Sequence, residues 1–97
     1  MKAIVRRGTQ LIEDDLADPV PGEGQALVST LVCGICGSDL HALHHLDHMI
    51  ALTRRAGGME NLDPSQDVVF GHEFCAEVLD YGPGCTGVLK PGTRVVS

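Results

Sequence analysis

Tryptophan is absent from this 97-residue chain, and aromatic residues make up only 3% of it. A core without large rings must be built from Val, Leu, Ile and Ala, and the hydrophobic fraction of 43% can supply it. That fraction also excludes a disordered chain, because disordered segments have too little apolar surface to bury. We therefore expect a fold, and a chain of this length predicts one domain at most.

Basic residues and long apolar runs are scarce as well. There are 7 Lys and Arg against 13 Asp and Glu, which gives a formal net charge of -6. Because nucleic acids are bound by clustered Lys and Arg, we expect no nucleic-acid partner. No stretch approaches the roughly 20 apolar residues of a membrane span, and the apolar run after Met1 is too short for a signal peptide. We expect a cytoplasmic protein with no membrane partner.

Alternation of polar and apolar residues predicts a mainly β domain. One helical segment is expected within residues 38–56, where Gly57-Gly58 stops the pattern. An acidic connector is expected at Asp14–Asp18 and a loop at Met59–Asp67. The predicted strands are Met1–Val5, Gln10–Glu13, Gln25–Val32, Phe74–Tyr81 and Thr93–Val96, and the predicted core residues are Leu27, Leu31, Val78 and Leu79.

The residues that indicate chemistry fall in two short, glycine-flanked stretches. The first is Cys36-Gly37-Ser38-Asp39-Leu40-His41 and the second is Gly71-His72-Glu73. Cys and His are side chains that Zn²⁺ prefers, and a ligating His usually donates its other N–H to a carboxylate. We therefore predict that the two stretches meet in the fold and hold a catalytic zinc.

Two other interpretations of these residues stay open. Cys33-x-x-Cys36 and His72-x-x-Cys75 together match a closed structural zinc site. Against this, residues i and i+3 of a strand point to opposite faces, so His72 and Cys75 should diverge. A redox pair is less favoured, because the βαβ context of such motifs is missing.

Histidines repeat along the predicted helical segment. His41 with His45, and His44 with His48, become neighbouring pairs if the segment is helical, and such pairs can bind transition metals. A solvated polar face is the simpler interpretation of this pattern.

Three motifs, in order, carry a resemblance to a known family. The stretches 33–41 (Cys-Gly-Ile-Cys-Gly-Ser-Asp-Leu-His), 71–74 (Gly-His-Glu-Phe) and 90–95 (Lys-Pro-Gly-Thr-Arg-Val) resemble the zinc-dependent medium-chain alcohol dehydrogenases. The resemblance implies a mainly β, GroES-like, partly open barrel with one or two short helices. It also implies that residues 1–97 are the N-terminal part of that catalytic domain, without the cofactor-binding Rossmann domain.

The same resemblance implies residue roles. Cys36 and His72 would be zinc ligands, with Glu73 beside the metal or exchanging onto it. Asp39 would orient the imidazole of His72. Ser38 would hydrogen-bond the substrate hydroxyl.

In the same way, His41 would pass a proton towards solvent. The implied cofactors are Zn²⁺ and NAD or NADP, and the implied substrate is a small alcohol or aldehyde. Where the family pattern has glycine this chain has Ala76, and the segment Ala42–Phe70 is longer than usual and is expected to shape the substrate pocket. The alternative is a non-enzymatic GroES-like module with the closed zinc site. As a piece, the chain is expected to be inactive alone and to self-associate through exposed strand edges.

Overall fold

The computed structural model describes residues 1–58 and 62–97 and divides into two compact units. The first unit contains residues 1–16 and 35–71, and the second contains residues 17–34 and 72–97. The part of the predicted loop at 59–61 lies outside the described residues. The elements are β1 (Lys2–Arg7), β2 (Gln10–Asp15), β3 (Ala26–Cys33), α1 (Gly37–Arg55), β4 (Val68–Val69), β5 (Phe74–Tyr81) and β6 (Arg94–Val96).

The first unit contains an antiparallel sheet in the order β2-β1-β4. Strand β2 runs on through Asp14 and Asp15, so the prediction of an acidic connector is wrong for these two residues. Both residues are paired with β1 in the antiparallel ladder, Asp14 opposite Ala3 and Asp15 opposite Lys2. Asp14 pairs with Arg7 at 2.8 Å, and Asp15 with the N-terminal ammonium of Met1 at 3.3 Å.

Helix α1 supplies the core of this unit. Its buried residues, Ala42, Leu46 and Ile50, recur every four positions and so form one apolar stripe. Partly buried apolar side chains pack against the stripe; they are Met49, Leu62, Val68 and Phe70. The predicted helical segment at 38–56 is confirmed, and it occupies the first half of the segment Ala42–Phe70.

The helix bends at His45, whose backbone is not helical (φ -129°, ψ 28°). Close to the bend, the buried side chain of Arg6 donates from Nε to the carbonyl of Leu43 at 3.1 Å. It also donates from Nη1 to the carbonyl of Pro64 at 3.4 Å. A buried charge is costly unless it is hydrogen-bonded, and these two carbonyls satisfy it. Arg6 thus ties β1 to α1 and to the loop before β4.

The second unit contains an antiparallel sheet in the order β3-β5-β6. The register of β3 against β5 shifts between Leu27 and Val28 and again between Thr30 and Val32. Each shift interrupts the strict alternation of inward and outward side chains that the sequence pattern predicts. A bulge changes the face of the sheet to which the side chains after it point. Leu31 is consequently 52% exposed, and its assignment to the core is wrong.

The centre of the second sheet is formed by β5. Ala76 and Val78 are almost fully buried, which confirms Val78 as core. The methyl of Ala76, where the family pattern has glycine, is accommodated inside the sheet opposite Thr30. Leu79 points the other way and is 46% exposed, so its core assignment is wrong. Leu27 is half-buried.

The turn after β5 requires a glycine. A Cβ on Gly82 would lie 1.7 Å from the carbonyl oxygen of Gly22. The Gly82 N–H donates to the carbonyl of Gln25 at 2.9 Å, which holds the turn against the start of β3. Only a residue without a side chain permits this approach of two backbone segments.

An acid-sensitive ion pair links β1 to the residue before β4. Arg7 donates from Nε to both carboxylate oxygens of Asp67, at 3.1 and 2.9 Å. This hydrogen bonding lowers the pKa of Asp67 below its ordinary value of 3.8. Because the folded-state pKa is the lower one, the pair's contribution to stability is present above pH 3.8 and is lost as the pH falls through the folded value.

We therefore expect the Asp67→Asn variant to be less stable than the native chain near neutral pH. The difference in urea unfolding midpoint should shrink as the pH falls through the folded-state pKa of Asp67, because the native carboxylate then becomes protonated. An NMR titration of the Asp67 carboxyl should give a midpoint below 3.8. A midpoint at or above that value, or a stability difference that does not change with pH, would contradict the pairing.

Candidate metal centre

Cys36 lies at the N-terminus of α1, where it caps the helix in an extended conformation (φ -97°, ψ 151°). Its backbone N–H donates to the carboxylate of Asp39 at 3.0 Å. A carboxylate in the first turn satisfies a backbone donor that the helix leaves free and also suits the positive end of the helix dipole. Asp39 therefore fixes the backbone from which the Cys36 side chain projects.

His72 and Glu73 lie immediately before β5. Gly71 has φ +111°, a conformation that residues with a Cβ rarely adopt, and it turns the chain into His72. Beyond the last β3–β5 register pair, Cys33 with Phe74, the Gly34 N–H donates to the carbonyl of Glu73 at 2.7 Å. The ladder thus extends by one further hydrogen bond, up to the residue after His72.

This hydrogen bond limits how far Cys36 can lie from Glu73. An extended chain advances about 3.3–3.6 Å per residue, so Cys36 is at most about 7 Å further along the backbone than Gly34. Strand pairing and chain connectivity alone therefore keep the two predicted stretches close together.

The side chains meet as this constraint requires. The Cys36 sulfur, an imidazole nitrogen of His72 and a carboxylate oxygen of Glu73 all lie within 4.8 Å of one another. Cys36 is half-buried, whereas His72 and Glu73 are exposed. Ligands bound to one zinc at about 2.0–2.3 Å are separated by roughly 3.3–3.8 Å. Among the described residues this is the one such group of three or more.

The donor set fits zinc. One sulfur, one imidazole nitrogen and one carboxylate oxygen are all ligands that Zn²⁺ takes, and three protein ligands leave a fourth position open. An open position is typical of catalytic rather than structural zinc sites.

The other predicted site residues lie in the first turns of α1. Ser38 and Asp39 are half-buried, and His41 is exposed. Because residues three apart on a helix are neighbours, Ser38 and His41 lie along one side of α1. That Asp39 also orients His72 stays a prediction, as do the roles of Ser38 and His41.

The closed structural site is not assembled in the described part of the chain. Cys33 ends β3, is exposed, and its sulfur lies 3.6 Å from the carbonyl of Gly34. Cys75 lies within β5 opposite Val32. The group of Cys36, His72 and Glu73 includes neither of these sulfurs. Side chains alternate between the two faces of β5, and this alternation directs Cys75 away from the group.

A glycine-rich stretch follows strand β5. Residues 82–87 read Gly-Pro-Gly-Cys-Thr-Gly, which matches the Gly-x-Gly-x-x-Gly spacing of dinucleotide-binding loops and follows strand β5. In the structure these residues enter turns that lead to β6, and no helix begins there. A dinucleotide site needs that helix N-terminus for the pyrophosphate, so the match carries no cofactor site.

No helix among the described residues is both long enough and apolar enough to cross a membrane.

Comparison with known proteins identifies the family. Residues 22–97 match the alcohol dehydrogenase GroES-like domain, and the chain belongs to this family. It is 36% identical over 88 residues to L-threonine 3-dehydrogenase of Pyrococcus furiosus, covering 91% of this chain and 22% of that protein. It is 35% identical over 95 residues to sorbitol dehydrogenase of Gallus gallus, covering 98% of this chain and 23% of that protein. The chain therefore spans less than a quarter of the length of these relatives.

Solved structures agree with the predicted fold class. A glucose dehydrogenase mutant from Haloferax mediterranei superposes with a TM-score of 0.66 at 33% identity, covering 99% of this chain and 24% of that one. A protein described as a zinc-binding dehydrogenase from Sinorhizobium meliloti, bound to NADP, gives 0.67 at 31% identity, covering 96% and 23%. The GroES-like, mainly β fold with one helix is confirmed, and its two described sheets are open.

Cysteine substitutions separate the open site from the closed one. We expect Cys36→Ala to weaken zinc binding by at least about tenfold. Even the loss of a residue that hydrogen-bonds to a metal ligand typically lowers metal affinity about 10–100-fold. Cys33→Ala and Cys75→Ala are the matched controls and should bind zinc as the native chain does. Competition with a chromophoric chelator measures all four affinities. Equal losses in all three variants would instead identify the closed site.

Proposed function

We propose that this chain is the zinc-binding, N-terminal part of the catalytic domain of a zinc- and NAD(P)-dependent dehydrogenase. The reaction is hydride transfer between a small alcohol and the nicotinamide, or the reverse reduction of an aldehyde. The observation that carries the proposal is the sulfur, nitrogen and oxygen group of Cys36, His72 and Glu73. Relatives named for threonine and sorbitol, both of which bear hydroxyl groups, support the substrate class.

The metal would be held by Cys36 and His72, with Glu73 as the third protein group or as one that exchanges with it. When bound there, zinc supplies a Lewis acid that favours loss of the substrate hydroxyl proton. The Asp39 carboxylate accepts a hydrogen bond from the Cys36 backbone N–H at 3.0 Å, which holds the backbone that carries the sulfur at the start of α1. The φ of +111° at Gly71 does the same for His72.

The proton would leave through two side chains of α1. The Ser38 hydroxyl lies two residues beyond Cys36 and can both accept a hydrogen bond from the substrate hydroxyl and donate its own proton onward. His41 is one turn further along and is exposed, so its imidazole can pass the proton to solvent. An imidazole suits this step because one ring nitrogen can accept a proton while the other donates one.

The nicotinamide cofactor would be bound outside these 97 residues. The glycine-rich stretch 82–87 opens no helix, so it offers no place for a pyrophosphate. The relative from Sinorhizobium meliloti is bound to NADP, which supports NAD(P) as the hydride acceptor. The chain alone should therefore bind metal without turning over substrate.

We place the protein in the cytoplasm. Its four cysteines, Cys33, Cys36, Cys75 and Cys85, are all free thiols in the structure, and free thiols are typical of a reducing compartment. The partners in this proposal are the small-molecule substrate and cofactor, with neither nucleic acid nor membrane.

The full-length protein containing this chain provides the test of the reaction. Ser38→Ala should lower kcat by about 10²–10⁴-fold, the usual contribution of a positioned proton-transfer group, with zinc content unchanged. His41→Gln should also lower kcat, and added imidazole should restore part of the rate. His48→Gln, an exposed residue on the same helix, is the control and should behave as wild type. Full activity in Ser38→Ala would contradict the proton path.

We also propose that the chain self-associates through its second sheet. Strands β3 and β6 are the edges of that sheet, and unpaired edges template pairing with other strands. Val32 on β3 and Val96 on β6 are 63% and 80% exposed, which leaves apolar side chains at both edges. Sedimentation velocity should show species heavier than the 10.3 kDa monomer, increasing with concentration. A single monomeric boundary at all concentrations would contradict this proposal.

A further inference from the structure

Helix α1 carries four of the five histidines within residues 41–48. All four are exposed. The rings of His41 and His45 lie with their centroids 4.9 Å apart and their planes tilted by 38°. The rings of His44 and His45 are further apart, at 6.5 Å, and meet edge to face at 68°. His45 is therefore closer to His41 than to its neighbour His44.

The bend in α1 lies within this pair. His45 itself has the non-helical backbone, so its ring position is not that of a regular helix. The measured centroid separation nevertheless places it beside His41, one turn earlier. The two rings thus adjoin on the solvent side of α1, while Ala42 and Leu46 face the core.

The separation suits a shared metal ion. When two imidazole nitrogens each bind one cation at about 2.0–2.1 Å, their ring centroids lie roughly 4.5–5.5 Å apart. The pair formed by His41 and His45 falls inside this range, whereas His44 and His45 fall outside it. Imidazole is a good ligand for Zn²⁺, Cu²⁺ and Ni²⁺, and exposure leaves the remaining coordination positions to water.

We propose that His41 and His45 form a second, surface metal site that binds a divalent transition-metal ion through two imidazoles. It shares no ligand with the group of Cys36, His72 and Glu73. Its existence does not depend on the dehydrogenase function. One consequence does rest on the proposed function: an ion bound there would withdraw the His41 imidazole from the proton path and so inhibit the enzyme.

The probe is Ni²⁺, titrated calorimetrically into the zinc-loaded chain at neutral pH. The expected result is one Ni²⁺ per chain. His45→Gln and His41→Gln should each weaken Ni²⁺ binding by about tenfold or more. Loss of a residue that only hydrogen-bonds to a metal ligand already lowers metal affinity about 10–100-fold. His48→Gln and His44→Gln are matched controls on the same helix and should leave the affinity unchanged. Circular dichroism of each variant checks that α1 is retained.

A further variant, Cys36→Ala, separates the two sites. Retention of Ni²⁺ binding in Cys36→Ala supports the site, because the His pair is then sufficient by itself. Loss of Ni²⁺ binding in that variant would overturn the proposal by assigning the ion to the cysteine site. The proposal would also be overturned if no Ni²⁺ bound, or if His44→Gln or His48→Gln weakened binding as much as His45→Gln.

Discussion

The hydrogen bond from the Gly34 N–H to the Glu73 carbonyl, at 2.7 Å, lies at the end of the ladder between β3 and β5. On one side of it the chain continues into Cys36 and α1, and on the other it comes from Gly71 and His72. Two stretches that are distant in sequence are therefore held together by backbone pairing alone. The side chains that would bind metal extend from the two stretches that this ladder brings together, and Ala76 lies at its buried centre.

Cys36 and His72, the two proposed ligands, each have local backbone support. Cys36 projects from the capped start of α1, where the Asp39 carboxylate accepts its N–H at 3.0 Å. His72 follows a glycine whose φ of +111° sets the direction of the chain. Within the first unit, α1 is anchored by its apolar stripe and by the buried Arg6, which donates to the carbonyl of Leu43. Both stretches thus border regular elements, α1 and β5.

The sequence was most informative where local chemistry determines local structure. Strand β5 has its predicted bounds, because its apolar run is closed by the Gly82-Pro83-Gly84 turn, and α1 lies where its cap and Gly57-Gly58 place it. The core positions of Leu31 and Leu79 were wrong, since register shifts depend on the partner strand.

The buried position of Arg6 could not be foreseen either. Its partners are carbonyl groups of the backbone, and nothing in the residue types nearby indicates them. For the candidate site, motif order identified the two stretches, whereas the distances among Cys36, His72 and Glu73 required the sheet.

We propose that Cys36, rather than a cluster of cysteines, shares one zinc with His72. X-ray absorption at the zinc edge of the zinc-loaded chain tests it directly, because sulfur and lighter ligands differ in distance and scattering. We expect a single sulfur at about 2.3 Å together with nitrogen and oxygen ligands at about 2.0–2.1 Å. A first shell with three sulfurs, or with none, would contradict it.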